Sequence, residues 1–117
     1  MSRVLVVDDD EAVLVVVEAV LRADGHDVAT AADGETALGV LGSEPAPSLV
    51  LLDLMMPRLS GWEVLDAMAH RPQLADVPVL VLTGYDDVVG LPRCCHVLHK
   101  PIDADVLRAR VRELEDG

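Results

Sequence analysis

A chain of 117 residues, 51% of them hydrophobic, is the size of one domain and has ample material for a buried core. Its 21 acidic residues outnumber 9 basic ones, and the formal net charge of -12 repels phosphate backbones and anionic lipid, so direct binding to nucleic acid or membrane surfaces is not expected. No apolar run approaches the ~20 residues of a membrane span, the start lacks a basic-then-apolar leader, and a cytoplasmic protein is expected.

The first strand, Val4 to Val7, runs straight into four consecutive carboxylates, Asp8, Asp9, Asp10 and Glu11. Crowded carboxylates repel one another unless a cation joins them. They suit either the positive end of a helix dipole or one half of a cation site. Beyond them Val13, Val16, Val17, Val20 and Leu21 follow the i, i+3, i+4, i+7, i+8 spacing of an amphipathic helix, which Gly25 stops.

A weaker strand is predicted at Asp27 to Ala31 and a short helix at Gly34 to Leu41. A second purely apolar strand at Leu49 to Leu52 precedes a helix at Trp62 to His70. A third follows at Val79 to Leu82, then a weaker one at His96 to His99. Asp103 caps a last helix with Leu107, Val111 and Leu114 on one stripe. Purely apolar, β-branched runs are strands covered on both faces, and their alternation with helices predicts a parallel sheet with right-handed crossovers.

In such a sheet every strand's carboxyl end lies on one edge, and ligands bind there at the topological switch point. The residues following the strands are Asp8 and Asp9 after Val7, Asp53 after Leu52, Thr83 after Leu82 and Lys100 after His99. Three carboxylates, a hydroxyl and an ammonium are therefore expected to converge. Each has a plainer role taken singly: Asp8 to Glu11 as a helix cap, Asp53 and Thr83 as turn formers, Lys100 as an exposed cation. Their coincidence at four strand ends favours a common site.

The stretches Val6 Val7 Asp8 Asp9, Leu51 Leu52 Asp53 Leu54 Met55 Met56 Pro57 with Ser60 Gly61, Leu82 Thr83 Gly84, and Lys100 Pro101 carry a family resemblance. Together they resemble the receiver domain of two-component response regulators, from near residue 3 to near residue 115. The resemblance implies an α/β, flavodoxin-like, doubly wound five-stranded parallel sheet of order 2-1-3-4-5. It implies one receiver domain over residues 1–117, and no effector domain is expected.

By the same resemblance, Asp53 accepts a phosphoryl group from a histidine kinase or phosphotransfer protein. Asp9 and Asp53 ligate Mg2+ directly, Asp8 holds it through water, and the Met55 backbone carbonyl is the third protein ligand. Lys100 pairs with one phosphoryl oxygen as a point charge, and Thr83 donates its hydroxyl to another. Catalysis is limited to the domain's own phosphorylation and dephosphorylation, and signalling runs through contacts with a downstream protein target. The face that receivers use for output also leaves a homodimer open.

This sequence departs from the family pattern in two places. Val97 stands where the family carries a switch aromatic. The interval from Thr83 to Lys100, with Gly90 and Pro92, is short by roughly one helical turn, so the family's fourth helix is expected as a stub near Asp86 to Val89, or absent. Met55 and Tyr85 flank the path of water to a phosphoryl group, and neither suits orienting it, which predicts slow self-dephosphorylation.

Two other functions compete: a phosphorylation-independent interaction module of receiver fold, and an aspartyl-phosphate hydrolase of haloacid-dehalogenase type. The second needs an acid two residues after its nucleophile, where Met55 stands. Adjacent Cys94 and Cys95 suit buried thiols and not a disulfide framework or zinc site. His26, His70, His96 and His99 match no metal spacing, and Trp62 is expected to pack partly at the start of the third helix.

Overall fold

The computed structural model describes residues 3–43, 45–84 and 95–116. The chain runs β1 (Arg3–Val7), α1 (Glu11–Ala23), β2 (Asp27–Ala31), α2 (Gly34–Leu41), β3 (Leu49–Asp53), α3 (Gly61–Ala69), β4 (Val79–Thr83), β5 (Cys95–His99) and α4 (Ala104–Asp116). All strand pairings are parallel, and the sheet order is β2-β1-β3-β4-β5. The flavodoxin-like order and the doubly wound architecture are those expected.

The two faces of the sheet follow from strand alternation. Leu5, Val7, Val50, Leu52 and Val81 face α2 and α3, meeting Ala37, Leu41, Val64, Leu65 and Met68. Their neighbours Val4, Val6, Leu49, Leu51, Leu80 and Leu82 face the opposite way, against Leu14, Val17 and Leu21 of α1 and Leu107 and Val111 of α4. The inner strands β3 and β4 are buried throughout, whereas the edge strand β2 is only part buried.

The buried stripe of α1 differs from the one the spacing predicts. Leu14, Val17 and Leu21 are buried, Val13 and Val20 are half-buried, and Val16 is 49% exposed beside Val15 at 66%. Ala12 to Val17 is an unbroken apolar run, so it offers several stripes at helical period. Packing between β1 and α4 selects the one through Leu14. Asp103 does cap α4, accepting from the Asp105 and Val106 amides at 2.9 and 3.1 Å.

β3 and β4 each run one residue further than expected, so Asp53 and Thr83 are the last strand residues and not the first loop residues. Trp62 packs partly against the α2–α3 core, as does Val97. Tyr85, the expected stub at Asp86 to Val89, Cys94 and the Cys95 side chain lie outside the described residues. Among the described residues no helix is long and apolar enough to cross a membrane.

Candidate functional site

The four acids after β1 divide by direction. The Asp8 amide donates to the Ala31 carbonyl at 3.1 Å, continuing the β1–β2 ladder and leaving its side chain fully buried at the sheet edge. Asp8 Oδ1 accepts the Asp10 amide at 2.9 Å, and Asp10 in turn caps α1 by accepting the Ala12 amide at 2.9 Å. Asp10 and Glu11 thus serve the start of the helix, where acids are favoured.

Asp53 ends β3 with its carboxylate buried. Its Oδ1 accepts the Met55 amide at 3.3 Å, while the Met55 side chain points outward and is 56% exposed. The chain returns to start α3 directly behind Asp53, with the Gly61 amide donating to the Leu54 carbonyl at 2.9 Å. A Cβ on Gly61 would lie against the Asp53 carbonyl oxygen and 2.7 Å from Leu54 Cα, so only glycine permits this approach. Ser60 and Glu63 form a capping box that fixes where α3 begins.

Thr83 ends β4, fully buried, and its carbonyl accepts the Lys100 amide at 2.7 Å. That bond carries the exit of β5 over the site. Lys100 Nζ lies 2.8 Å from Asp8 Oδ2 and 3.7 Å from Asp53 Oδ2. Asp8, Asp9 and Asp53 each offer a carboxylate oxygen within 4.8 Å of the others, and no other group of this kind occurs among the described residues.

The electrostatics follow from burial and crowding. Desolvation, then the charge of Asp8, pushes the Asp53 carboxyl up to about 6 from its ordinary 3.8, against the opposing pull of Lys100 and the Met55 amide. Burial alone would lower the Lys100 ammonium, but Asp8 and Asp53 outweigh it and hold its pKa above the ordinary value. One fixed cation therefore faces three clustered carboxylates.

The donor set fits a divalent cation. Three carboxylates supply hard oxygen ligands. Asp8 Oδ2 is fully enclosed, and the Lys100 ammonium at 2.8 Å balances its charge but not that of Asp9 and Asp53 as well. Three clustered carboxylates facing one ammonium leave excess negative charge at a largely enclosed site, an unfavourable arrangement that a metal relieves.

The structure thus brings Asp8, Asp9, Asp53 and Lys100 together and places Thr83 at the adjoining strand end. His99, next to Lys100, is exposed, and His26 and His70 pair elsewhere, with Glu115 and with the Asp66 carbonyl. Sequence reasoning missed the supports of the loop after Asp53. Arg58 has a left-handed φ of 65°, and its guanidinium lies 3.9 Å from Asp33 Oδ2. An arginine carries no sequence signal for that conformation.

The family profile described as "Response regulator receiver domain" matches residues 4–112. The response regulator PleD of Caulobacter vibrioides is 40% identical over 97% of this chain, which spans 26% of that protein. The response regulator MprA of Mycolicibacterium vanbaalenii is 42% identical over 96% of this chain and 49% of its own length. The chain therefore spans about a quarter to a half of these relatives. Among solved structures, a putative response regulator from Chloroflexus aurantiacus superposes with a TM-score of 0.88 at 28% identity, covering 99% of this chain and 98% of that one. The chemotaxis protein CheY4 of Vibrio cholerae gives 0.86 at 27% identity over 97% and 98%. With its sheet order, its clustered carboxylates and this agreement in hand, the chain belongs to the response regulator receiver domain family, whose phosphoacceptor site the cluster at the sheet edge forms.

Proposed function

We propose that Asp53 is the acceptor, taking a phosphoryl group from a phosphohistidine on a histidine kinase or phosphotransfer protein. The observation that carries this assignment is the unequal compensation of the three acids. Asp8 is wholly enclosed and holds the Lys100 ammonium at 2.8 Å, and Asp9 is exposed. Asp53 stands further from the cation, and burial together with the neighbouring Asp8 charge raises its carboxyl to about 6, which leaves it ionised at pH 7 yet more basic than an ordinary aspartate.

In the transfer an Asp53 oxygen attacks phosphorus, the N–P bond breaks, and the imidazole nitrogen leaves with the electron pair and takes up a proton. The product is an aspartyl phosphate. Asp8, Asp9, Asp53 and the Met55 carbonyl would hold Mg2+, which when bound supplies the charge neutralisation that lets two anions approach. Lys100 then pairs with a phosphoryl oxygen, and Thr83 donates its hydroxyl to another. The chemistry is confined to the domain's own phosphorylation and dephosphorylation.

The hydrogen bond from the Lys100 amide to the Thr83 carbonyl joins the two residues that would bind phosphoryl oxygens. Any movement of Thr83 toward the phosphoryl group therefore carries the end of β5 with it, which supports signalling to a downstream protein through this side of the sheet.

Incubation with acetyl phosphate and magnesium, followed by intact-mass measurement, tests the assignment. A phosphoryl adduct in the parent and none in Asp53→Asn is expected. No adduct in either protein would favour a phosphorylation-independent interaction module, and turnover of diverse phosphomonoesters would favour a hydrolase.

A further inference from the structure

Residues 54–60, which link β3 to α3, contain the nearest chain neighbours of Asp53. Leu54 and Met56 anchor this loop in the core shared with α2 and α3. Its far half rests on the start of α2, an element with no residue in the carboxylate cluster. Asp33 caps α2 by accepting the Thr36 amide at 2.7 Å, and it also faces the guanidinium of left-handed Arg58. Gly34, the next residue, is buried against Leu59: a Cβ there would lie 2.7 Å from the Leu59 carbonyl oxygen and 2.9 Å from Leu59 Cβ.

The carbonyl oxygen is main chain, so no side-chain rotation can relieve that contact. Either α2 or the loop must move. Ala37 and Leu41 lock α2 into the core, and Leu54 and Met56 hold the near half of the loop there too, whereas Leu59 is only partly buried and the Met55 amide bond to Asp53 Oδ1 is long at 3.3 Å. The far half of the loop is the part that yields, and its displacement pulls on that bond.

We propose that Gly34 is a positioning residue for the phosphoacceptor. The bare first turn of α2 is a stop that sets how far loop 54–60 lies over the sheet edge, and so fixes the direction of the Asp53 carboxylate and the Met55 backbone. The claim rests on the assignment of Asp53 as acceptor, and it makes the packing of α2 part of the phosphorylation machinery.

Gly39 supplies the control. It lies in the interior of the same helix with nothing within 4 Å of a built Cβ, so Gly39→Ala adds the same methyl to α2 as Gly34→Ala without the contact to Leu59. Adduct formation from acetyl phosphate at saturating magnesium should fall on the order of 10-fold in Gly34→Ala, because small misplacements of reacting groups are costly, and stay unchanged in Gly39→Ala. In metal-free protein, the amide resonances of Met55 and Met56 should shift in Gly34→Ala while those of β1 and β5 stay in place.

Equal rates in parent and Gly34→Ala overturn the proposal, as do shifts spread over the whole chain. If Gly34→Ala fails to fold, Asp33→Asn decides: it keeps a competent cap but drops the charge facing Arg58, and should slow the reaction about 2-fold. An unchanged rate there overturns the proposal. A parent that forms no adduct on Asp53 overturns the acceptor assignment itself, a result distinct from equal rates in parent and variant.

Discussion

The Lys100 ammonium lies closer to Asp8, at 2.8 Å, than to Asp53, at 3.7 Å, so the cation is held by the enclosed carboxylate beside the one proposed to react. This geometry leaves Asp53 the less tightly paired of the two buried carboxylates while holding the ammonium where a phosphoryl oxygen would arrive. It also makes Lys100 structural. Lys100→Ala leaves Asp8 buried with no cation, and removing one partner of a buried pair costs about 3–5 kcal/mol. Because Lys100 is partly exposed, a loss nearer about 2 kcal/mol is expected in urea unfolding of metal-free protein, together with loss of the phosphoryl adduct. An unchanged unfolding midpoint would show that Asp8 is compensated by another group.

The raised affinity of Asp53 for its proton sets a pH dependence. The folded carboxyl titrates at about 6 and the unfolded one near 3.8, so between these values the native state binds more protons and stability falls as pH rises. The full difference amounts to about 3 kcal/mol, lost progressively from about pH 4 to pH 6 and constant above. Asp53→Asn should flatten this part of the profile and stabilise the chelator-treated protein at pH 7. Urea titrations from pH 4 to pH 8 in parent and variant measure both effects.

Metal should reverse that cost. An ion bound by the folded cluster and not by the unfolded chain stabilises by about 2.7 kcal/mol at a hundredfold excess over its Kd. Magnesium should therefore raise the melting temperature at pH 7. The rise should shrink below about pH 6, where protons compete for Asp53. Asp9→Ala should abolish the magnesium shift with little change in the metal-free melting temperature, since Asp9 is exposed and caps nothing. A magnesium shift that survives in Asp9→Ala would place the ion elsewhere.

What was legible in the sequence, and what was not, divides along physical lines. Strands buried on both faces are written as unbroken apolar runs, so Val4 to Val7, Leu49 to Leu52 and Val79 to Leu82 disclose the parallel sheet, and its carboxyl edge discloses the acids. The short elements Asp27–Ala31 and Gly34–Leu41 are bounded by turn formers and match residue for residue. The buried face of α1 was hidden because apolar residues occupy every position from Ala12 to Val17, and periodicity needs polar residues to mark its phase. The approach of Gly34 to Leu59 was hidden for another reason. It depends on where two backbones cross, which no local pattern encodes. The same holds for Gly61 behind Asp53, although its glycine is at least a signal that some close approach exists.

Phosphoryl lifetime depends on what surrounds the path of attacking water. Met55, two residues past Asp53, presents an exposed thioether there, with no carbonyl or acid on its side chain to accept a proton from water or hold it in line. The adduct should consequently persist for minutes or longer in purified protein with magnesium. Met55→Gln places a carboxamide at the same position without adding charge to the cluster. It should shorten the lifetime several-fold, short of the roughly 10²–10⁴ that a full general base supplies. Because Met55 is exposed and packs against nothing in the core, the unfolding midpoint should not move. Following loss of the adduct by intact mass in parent and variant checks the claim, and a parent half-life of seconds would refute it.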